Sequence, residues 1–527
     1  MQKTTHFDYD YIIIGSGFGG SVSALRLAEK GYRVLVLEKG QWKTAADFPK
    51  TNWHLKKWLW LPLLRFFGFF RITFFRHLGV LSGVGVGGGS LVYANTLVMP
   101  DDRFFTADTW RDLADWKAEL APHYRTALRM LGADRNPRLQ VGDLALRDMA
   151  ADLGRADQFD PTTVAVYFGE PEQEVDDPYF GGKGPRRAGC RFCGGCMIGC
   201  RYNAKNTLDK NYLYLAQQAG ATIQAESEVF DVQPLGDPGG NDGYRVRWKS
   251  STSWLPRRGE FTCRGVVFAG GVMGTVRLLL QLKESSLPRL SPRVGAGIRT
   301  NSESLIGVTT FDKQTVFSEG IAIGSALQTD EFSQLQPVRY SAGSGFWRLL
   351  MAPLVHGSSF LSRMKNAVVE LLRHPREYLR MYLVRDWASR TQILLYMRTL
   401  EGALRFRQGR FGMRSALEPG QTPPTPFIPE AKELAEKYAG YVNGKPGVLA
   451  TETLLGIPTT AHILGGAVMG DTPETGVIDK QNRVFGYQNM YVCDGAMIPA
   501  NPGVNPSLTI TALTERAMSK IPDKETT

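Results

Sequence analysis

DYDYIIIGSGFGGSVSALRLAEKGYRVLVLEKG, residues 8–40 of a 527-residue chain, reads as strand, glycine turn, helix and second strand. Tyr11 to Ile14 is a continuous apolar run of the kind a buried parallel strand needs, and Val22, Leu25, Leu27 and Ala28 give the next segment an apolar helical face. Gly15, Gly17 and Gly20 form G-x-G-x-x-G. A tight turn, close approach to a pyrophosphate and helix–strand packing each require a residue without Cβ, and the helix amino terminus meets the phosphates. Glu38 closes the second strand, where a carboxylate accepts the hydroxyls of an adenosine ribose. That carboxylate favours FAD or NAD over a cofactor with a ribose 2′-phosphate.

The rest of the chain is consistent with a large enzyme. It is 43% hydrophobic with 57 glycines, the composition of a packed, loop-rich globule rather than a disordered chain. The stretch MQKTTHFDYDYIIIGSG has no basic n-region, apolar h-region or cleavage site, so a cytoplasmic location is expected. In a reducing compartment clustered thiols are not disulfides. Four of the six cysteines, Cys190, Cys193, Cys196 and Cys200, lie in CRFCGGCMIGC with the spacing C-x2-C-x2-C-x3-C. This is the ferredoxin run without its terminal proline, and no second pair supplies the split knuckles of a structural zinc site. An iron–sulfur cluster is the expected ligand; zinc and unligated thiols are the alternatives.

Three further blocks select the flavin. They are GVGVGGGSLVYANTL at 83–97, CRGVVFAGGVMGTVRLLLQ at 263–281, and the carboxyl-terminal TAHILGGAVMGDTPETGVIDKQNRVFGYQNMYVCDGAMIPANPGVNPSLTITALTERA. With these the chain resembles the glucose–methanol–choline (GMC) oxidoreductase family, and within it the cholesterol oxidase branch. The resemblance implies that Gly15, Gly17, Gly20 and Glu38 bind the ADP half of FAD. It also implies that Gly87, Gly88, Gly89 and Ser90 lie against the pyrophosphate or isoalloxazine, Val229 meets the adenine, and Asp494 and Gly495 sit by the ribityl chain. His462 and Asn505 match the family's active-site pair. Chemistry supports them: alcohol oxidation needs a group that takes the hydroxyl proton and a donor that orients the oxygen. The family's substrate-domain carboxylate is not matched, because QLQPVRY at 334–340 offers Gln334 and Gln336; Glu331 restores an acid only in another register.

The chain carries 62 basic and 51 acidic residues, a formal charge of +11, and no acidic residue between Phe48 and Pro100. Within that stretch WLWLPLLRFFGFFRITFFRHLG interleaves aromatics with arginines. It is too apolar for nucleic acid, which is not expected as a partner. A peripheral membrane contact and a buried loop lining the substrate cavity are the two readings. Residues 346–390 add a second basic region with helical apolar spacing broken near Pro375.

The expected architecture is α/β. An FAD-binding Rossmann-like domain comprises residues 1–100, 190–310 with the cysteine cluster, and 459–527 with the catalytic pair. A substrate domain on a mixed or antiparallel sheet comprises 101–189 and 311–458. The expected activity is oxidation of a hydrophobic, sterol-like or long-chain alcohol. A dehydrogenase passing electrons through the cluster to a quinone or protein carrier is preferred to an oxygen-using oxidase or a non-enzymatic flavin–cluster relay.

Overall fold

The computed structural model describes residues 6–400, 402–410 and 412–525. Its first sheet grows from the opening βαβ unit. Tyr9–Ile14 lies between Val34–Leu37 and Arg258–Phe268, all parallel, and Thr222–Gln224 extends the sheet beyond Val34–Leu37. Val34–Leu37 is buried throughout, as its unbroken aliphatic run requires. The long Arg258–Phe268 strand joins two kinds of pairing. Its first half pairs antiparallel with Tyr244–Ser250, which pairs with Ser227–Pro234; its last residues pair parallel with Met490–Val492. The helices Phe18–Glu29, Trp116–Met130 and Ser507–Ser519 pack together, so the carboxyl terminus closes on the amino-terminal helix.

The second sheet is wholly antiparallel. Its order runs Met351–Pro353, Gly444–Leu449, Ser304–Thr310, Thr391–Arg398, Ser333–Val338, Ser325–Gln328 and Phe159–Pro161. Helices Val141–Asp152 and Pro429–Tyr441 pack together and cover it around Leu146, Ile306, Leu394 and Tyr438. The segment 101–189 divides between the two cores. Phe104, Trp110, Trp116 and Tyr124 join the first, whereas Leu146 and Met149 join the second.

The two basic regions differ. Trp58, Trp60, Phe69 and Phe70 turn inward, and Phe70 and Arg71 reach the large cavity described below. Leu63 and Phe74 remain at the surface. In the second region two amphipathic helices form, Phe360–Arg373 and Pro375–Leu383, divided at the proline that opens the second. They leave Leu361, Leu372, Leu379 and Leu383 exposed. Among the described residues no helix is long and apolar enough to cross a membrane.

Candidate active site

A cavity of about 600 Å³ runs from the glycine turn to the inner face of the second sheet. Its walls include Gly15, Gly17, Glu38, Gly88, Gly89, Val229, Asp494, Gly495, His462 and Asn505, which the chain supplies from positions hundreds of residues apart.

The dinucleotide end is a cradle of backbone. Gly15 has φ +103°, and a Cβ there would stand 2.5 Å from the Ala269 carbonyl oxygen. A Cβ on Gly20 would lie 2.0 Å from the carbonyl of Gly15, so helix and turn fit only without one. Gly17 has open space where its Cβ would be, which is the room a pyrophosphate needs. The second loop packs directly on the first, since a Cβ on Gly88 would stand 2.6 Å from the Cα of Gly17. Gly88 and Gly89 face the cavity. Gly87 and Ser90 instead form the loop's internal brace: the Ser90 hydroxyl donates to the Gly87 carbonyl at 2.7 Å and accepts from Leu208 N–H at 3.1 Å.

The Glu38 carboxylate accepts from Ser16 N–H at 3.1 Å, Ser16 Oγ at 2.8 Å and Gly40 N–H at 2.8 Å, which fixes it at the end of its strand. Lys39, Arg71 and Arg277 line the cavity with it. Burial first, and then the Arg71 charge, push the Lys39 ammonium down to about 8. Val229 lies at an irregularity in its strand pairing, which interrupts the ladder beside the cavity. Asp494 accepts from Thr275 Oγ1 at 2.5 Å and from Ala496 N–H at 2.8 Å. Burial pushes its carboxyl up to about 6 against these donors.

At the other end His462 and Asn505 meet. Asn505 Nδ2 is 3.4 Å from His462 Nε2, and Asn505 Oδ1 accepts from Gln336 Nε2 at 3.0 Å. Gln336 Nε2 also donates to Gln334 Oε1 at 2.7 Å, so the two glutamines brace Asn505. Glu331 is at the surface, paired with Arg103 at 2.7 Å, and supplies no acid to the cavity. The carboxylate near the histidine is one that sequence reading missed: Glu303 Oε2 lies 3.3 Å from His462 Nδ1. Beyond the pair the wall is apolar, with Leu81, Leu305, Val338, Trp347, Leu395 and Leu449.

The four clustered cysteines lie apart from the flavin cradle. Among the described residues no three His, Cys, Asp or Glu side chains form a group that could hold a metal ion. This arrangement gives no support to the metal centre expected at Cys190, Cys193, Cys196 and Cys200. All four instead line a separate cavity of about 30 Å³ with Lys205 and Arg201. Lys205 is buried and donates to the carbonyls of Leu91, Tyr93 and Cys196. Burial pushes its ammonium down to about 7.

Comparison with known proteins agrees with this arrangement. Residues 393–514 match the family described as GMC oxidoreductase, and residues 13–42 match the NAD(P)-binding Rossmann-like domain. A cholesterol oxidase of Acinetobacter baumannii is 45% identical over 99% of this chain and 96% of its own length. A cholesterol oxidase of Mycobacterium tuberculosis is 44% identical over 98% and 92%. The pyridoxine 4-oxidase of Mesorbium loti superposes with a TM-score of 0.62 at 15% identity, covering 97% of this chain and 98% of that one. The relatives are named as oxidases, which gives no support to the preference for a dehydrogenase. The two glycine loops that meet at Gly17 and Gly88, Glu38 at the end of the second strand and the whole-chain likeness converge: the chain belongs to the GMC oxidoreductase family, in its cholesterol oxidase-like branch, and is an FAD-dependent oxidoreductase.

Proposed function

We propose that the protein oxidises the secondary hydroxyl of a sterol or a similarly hydrophobic alcohol. The observation that carries this reading is the single cavity with the flavin cradle at one end, the His462–Asn505 pair at the junction and an apolar wall beyond. FAD, when bound, accepts the hydride that leaves the carbinol carbon. The chain's own residues do the rest. His462 takes the hydroxyl proton, Asn505 orients the oxygen, and the apolar wall removes water from the substrate's body. Dioxygen is the acceptor that the relatives' names support. The exposed leucines at 63, 361, 372, 379 and 383, set among arginines, support contact with an anionic membrane surface from which a sterol would enter. Cholesterol presented in anionic vesicles is expected to bleach the flavin anaerobically, faster than in neutral vesicles and far faster than short-chain alcohols do. No bleaching by any sterol would end the substrate reading, and equal rates from the two vesicle types would end the membrane one.

The thiol cavity favours a second reading of where electrons go, toward a quinone or protein carrier through an iron–sulfur cluster. A cluster, unlike a single ion, needs its cysteines spread around a space. Main-chain N–H groups already point at sulfur: Phe192 N–H donates to Cys190 Sγ at 3.4 Å, and Tyr202, Ala204 and Lys205 donate to Cys200. Burial raises the Cys200 thiol, but Lys210 and these donors outweigh it and leave it below its usual range. Cys196 faces the thiol cavity and Met197 the flavin cavity. Cys190, Cys193, Cys196 and Cys200 would hold the cluster, which would supply one-electron transfer. Anaerobically purified protein should then contain iron and acid-labile sulfide, both lost in Cys196→Ser. Wild-type protein with neither, or with zinc alone, overturns this reading.

A further inference from the structure

We propose that Glu303 is a positioning residue for the reaction: it holds His462 with the proton on Nδ1, so that Nε2 is the free acceptor presented to the substrate hydroxyl. The proposal rests on the reading of His462 as the proton acceptor and adds the group that fixes its tautomer.

Three observations carry it. Glu303 holds the main chain of the histidine and stands beside its ring, where Oε2 and Nδ1 are both buried and neither has another hydrogen-bond partner. Its side chain is fully buried, with Oε2 3.3 Å from Nδ1, while Oε1 accepts the His462 backbone N–H at 3.1 Å and the Thr460 hydroxyl. A carboxylate fixed by the main chain of one residue and placed beside its ring favours a ring N–H on the facing nitrogen.

Second, the chain is bent to put it there. Asn301 and Ser302 both have left-handed backbone, φ +58° and +45°, a conformation non-glycine residues adopt only when their surroundings enforce it. The enforcement comes from the loop that carries Asn505. Asn301 N–H donates to Asn501 Oδ1 at 3.1 Å, its Nδ2 donates to the Val504 carbonyl at 3.1 Å, and its Oδ1 accepts from Gly503 N–H at 2.9 Å. One locked pair of loops therefore places Glu303 at Nδ1 and Asn505 at Nε2.

Third, a second acid stands near it. Glu452, on the turn Thr451–Leu455, is buried; burial first, and the Glu303 charge against the Thr459 N–H, hold its carboxyl well above the usual carboxylate range. Asn505, which meets the ring, and Gln336, which meets Asn505, are amides and carry no charge.

In the reaction the substrate O–H bond breaks and an N–H bond forms at Nε2. The hydride leaves carbon for FAD as the carbonyl forms. Glu303 then faces an imidazolium and offsets its charge.

Glu303→Gln keeps the shape and removes the charge. Anaerobic flavin reduction is expected to slow by about 10–100-fold with flavin still bound. The acid limb of its pH–rate profile should move to lower pH, because an anion that favoured the protonated ring is gone. Glu303→Asp should restore part of the rate. In wild-type holoenzyme with ¹⁵N-labelled histidine, the resonances missing from His462→Ala should show an Nδ1–H tautomer, a measurement that needs no Glu303 variant to fold. Wild-type rates and an unmoved profile in Glu303→Gln, or an Nε2–H tautomer, would overturn the proposal. If His462→Ala is slow while Glu303→Gln is not, only the positioning role falls; if both are normal, the proton-acceptor reading falls with it.

Discussion

His462→Ala is expected to slow anaerobic reduction of the bound flavin by roughly 10²–10⁴-fold, the scale on which a lost proton acceptor is felt. The ring lines the same cavity as Gly15, Gly17 and Glu38, and Asn505 lies 3.4 Å from its outer nitrogen. The side chain that meets Nε2, Asn505, is an amide and cannot take a proton. The flavin should remain bound, because Gly15, Gly17, Glu38 and Gly88, proposed as its cradle, lie at the other end of the cavity from the imidazole. Asn505→Ala should cost less, as it removes an orienting donor and leaves the acceptor. Stopped-flow reduction at the wild-type rate in His462→Ala would remove the residue from the mechanism.

The parts of this site that could be read in the sequence are those whose logic is local. The turn at Gly15–Gly20 and its flanking strands declare themselves because the steric demand, the apolar run and the acid at Glu38 fall within one short stretch. The two helices at 360–383 do so through apolar spacing and a proline. Glu303 could not be found this way. It lies 159 residues from His462, in RTNSES, and its meaning depends on a backbone reversal enforced by the loop at 501–505. The cysteine run shows the opposite limit. Its spacing is explicit, but spacing does not say whether four sulfurs meet at one point, and here the four residues line a small cavity without forming a metal-holding group among the described residues. Within 101–189, Trp110 and Trp116 stack on each other in the core of the first sheet, while Leu146 and Met149 join that of the second. Nothing in the helical pattern of 116–130 states which of two apolar faces it will meet.

A substitution far from the flavin should have the largest effect on stability. Asp143→Ala is expected to destabilise the fold by about 3–5 kcal/mol, because it leaves a buried arginine without its counter-ion. Asp143 and Arg339 have side chains 0% and 1% exposed and meet at 2.8 Å. The carboxylate also accepts Ser325 Oγ at 2.8 Å and the Gln140 N–H at 2.9 Å, so it caps the helix Val141–Asp152 while binding that helix to the second sheet. Arg339 in turn donates to the Glu319 carbonyl at 3.0 Å. The next residue, Gly320, exchanges 2.7 Å backbone hydrogen bonds with Phe192 and Gly194 on the cysteine loop. The ion pair therefore anchors the strand end on which the thiol cavity is mounted. Loss of Asp143 should lower the denaturation midpoint and also quicken the reaction of the cluster thiols with a disulfide reagent. Replacing both partners, Asp143→Ala with Arg339→Met, should recover part of the stability, since no charge is then left buried. A loss below about 1 kcal/mol in Asp143→Ala, the scale of an exposed pair, would mean that water reaches Arg339 and that the cysteine loop is anchored elsewhere.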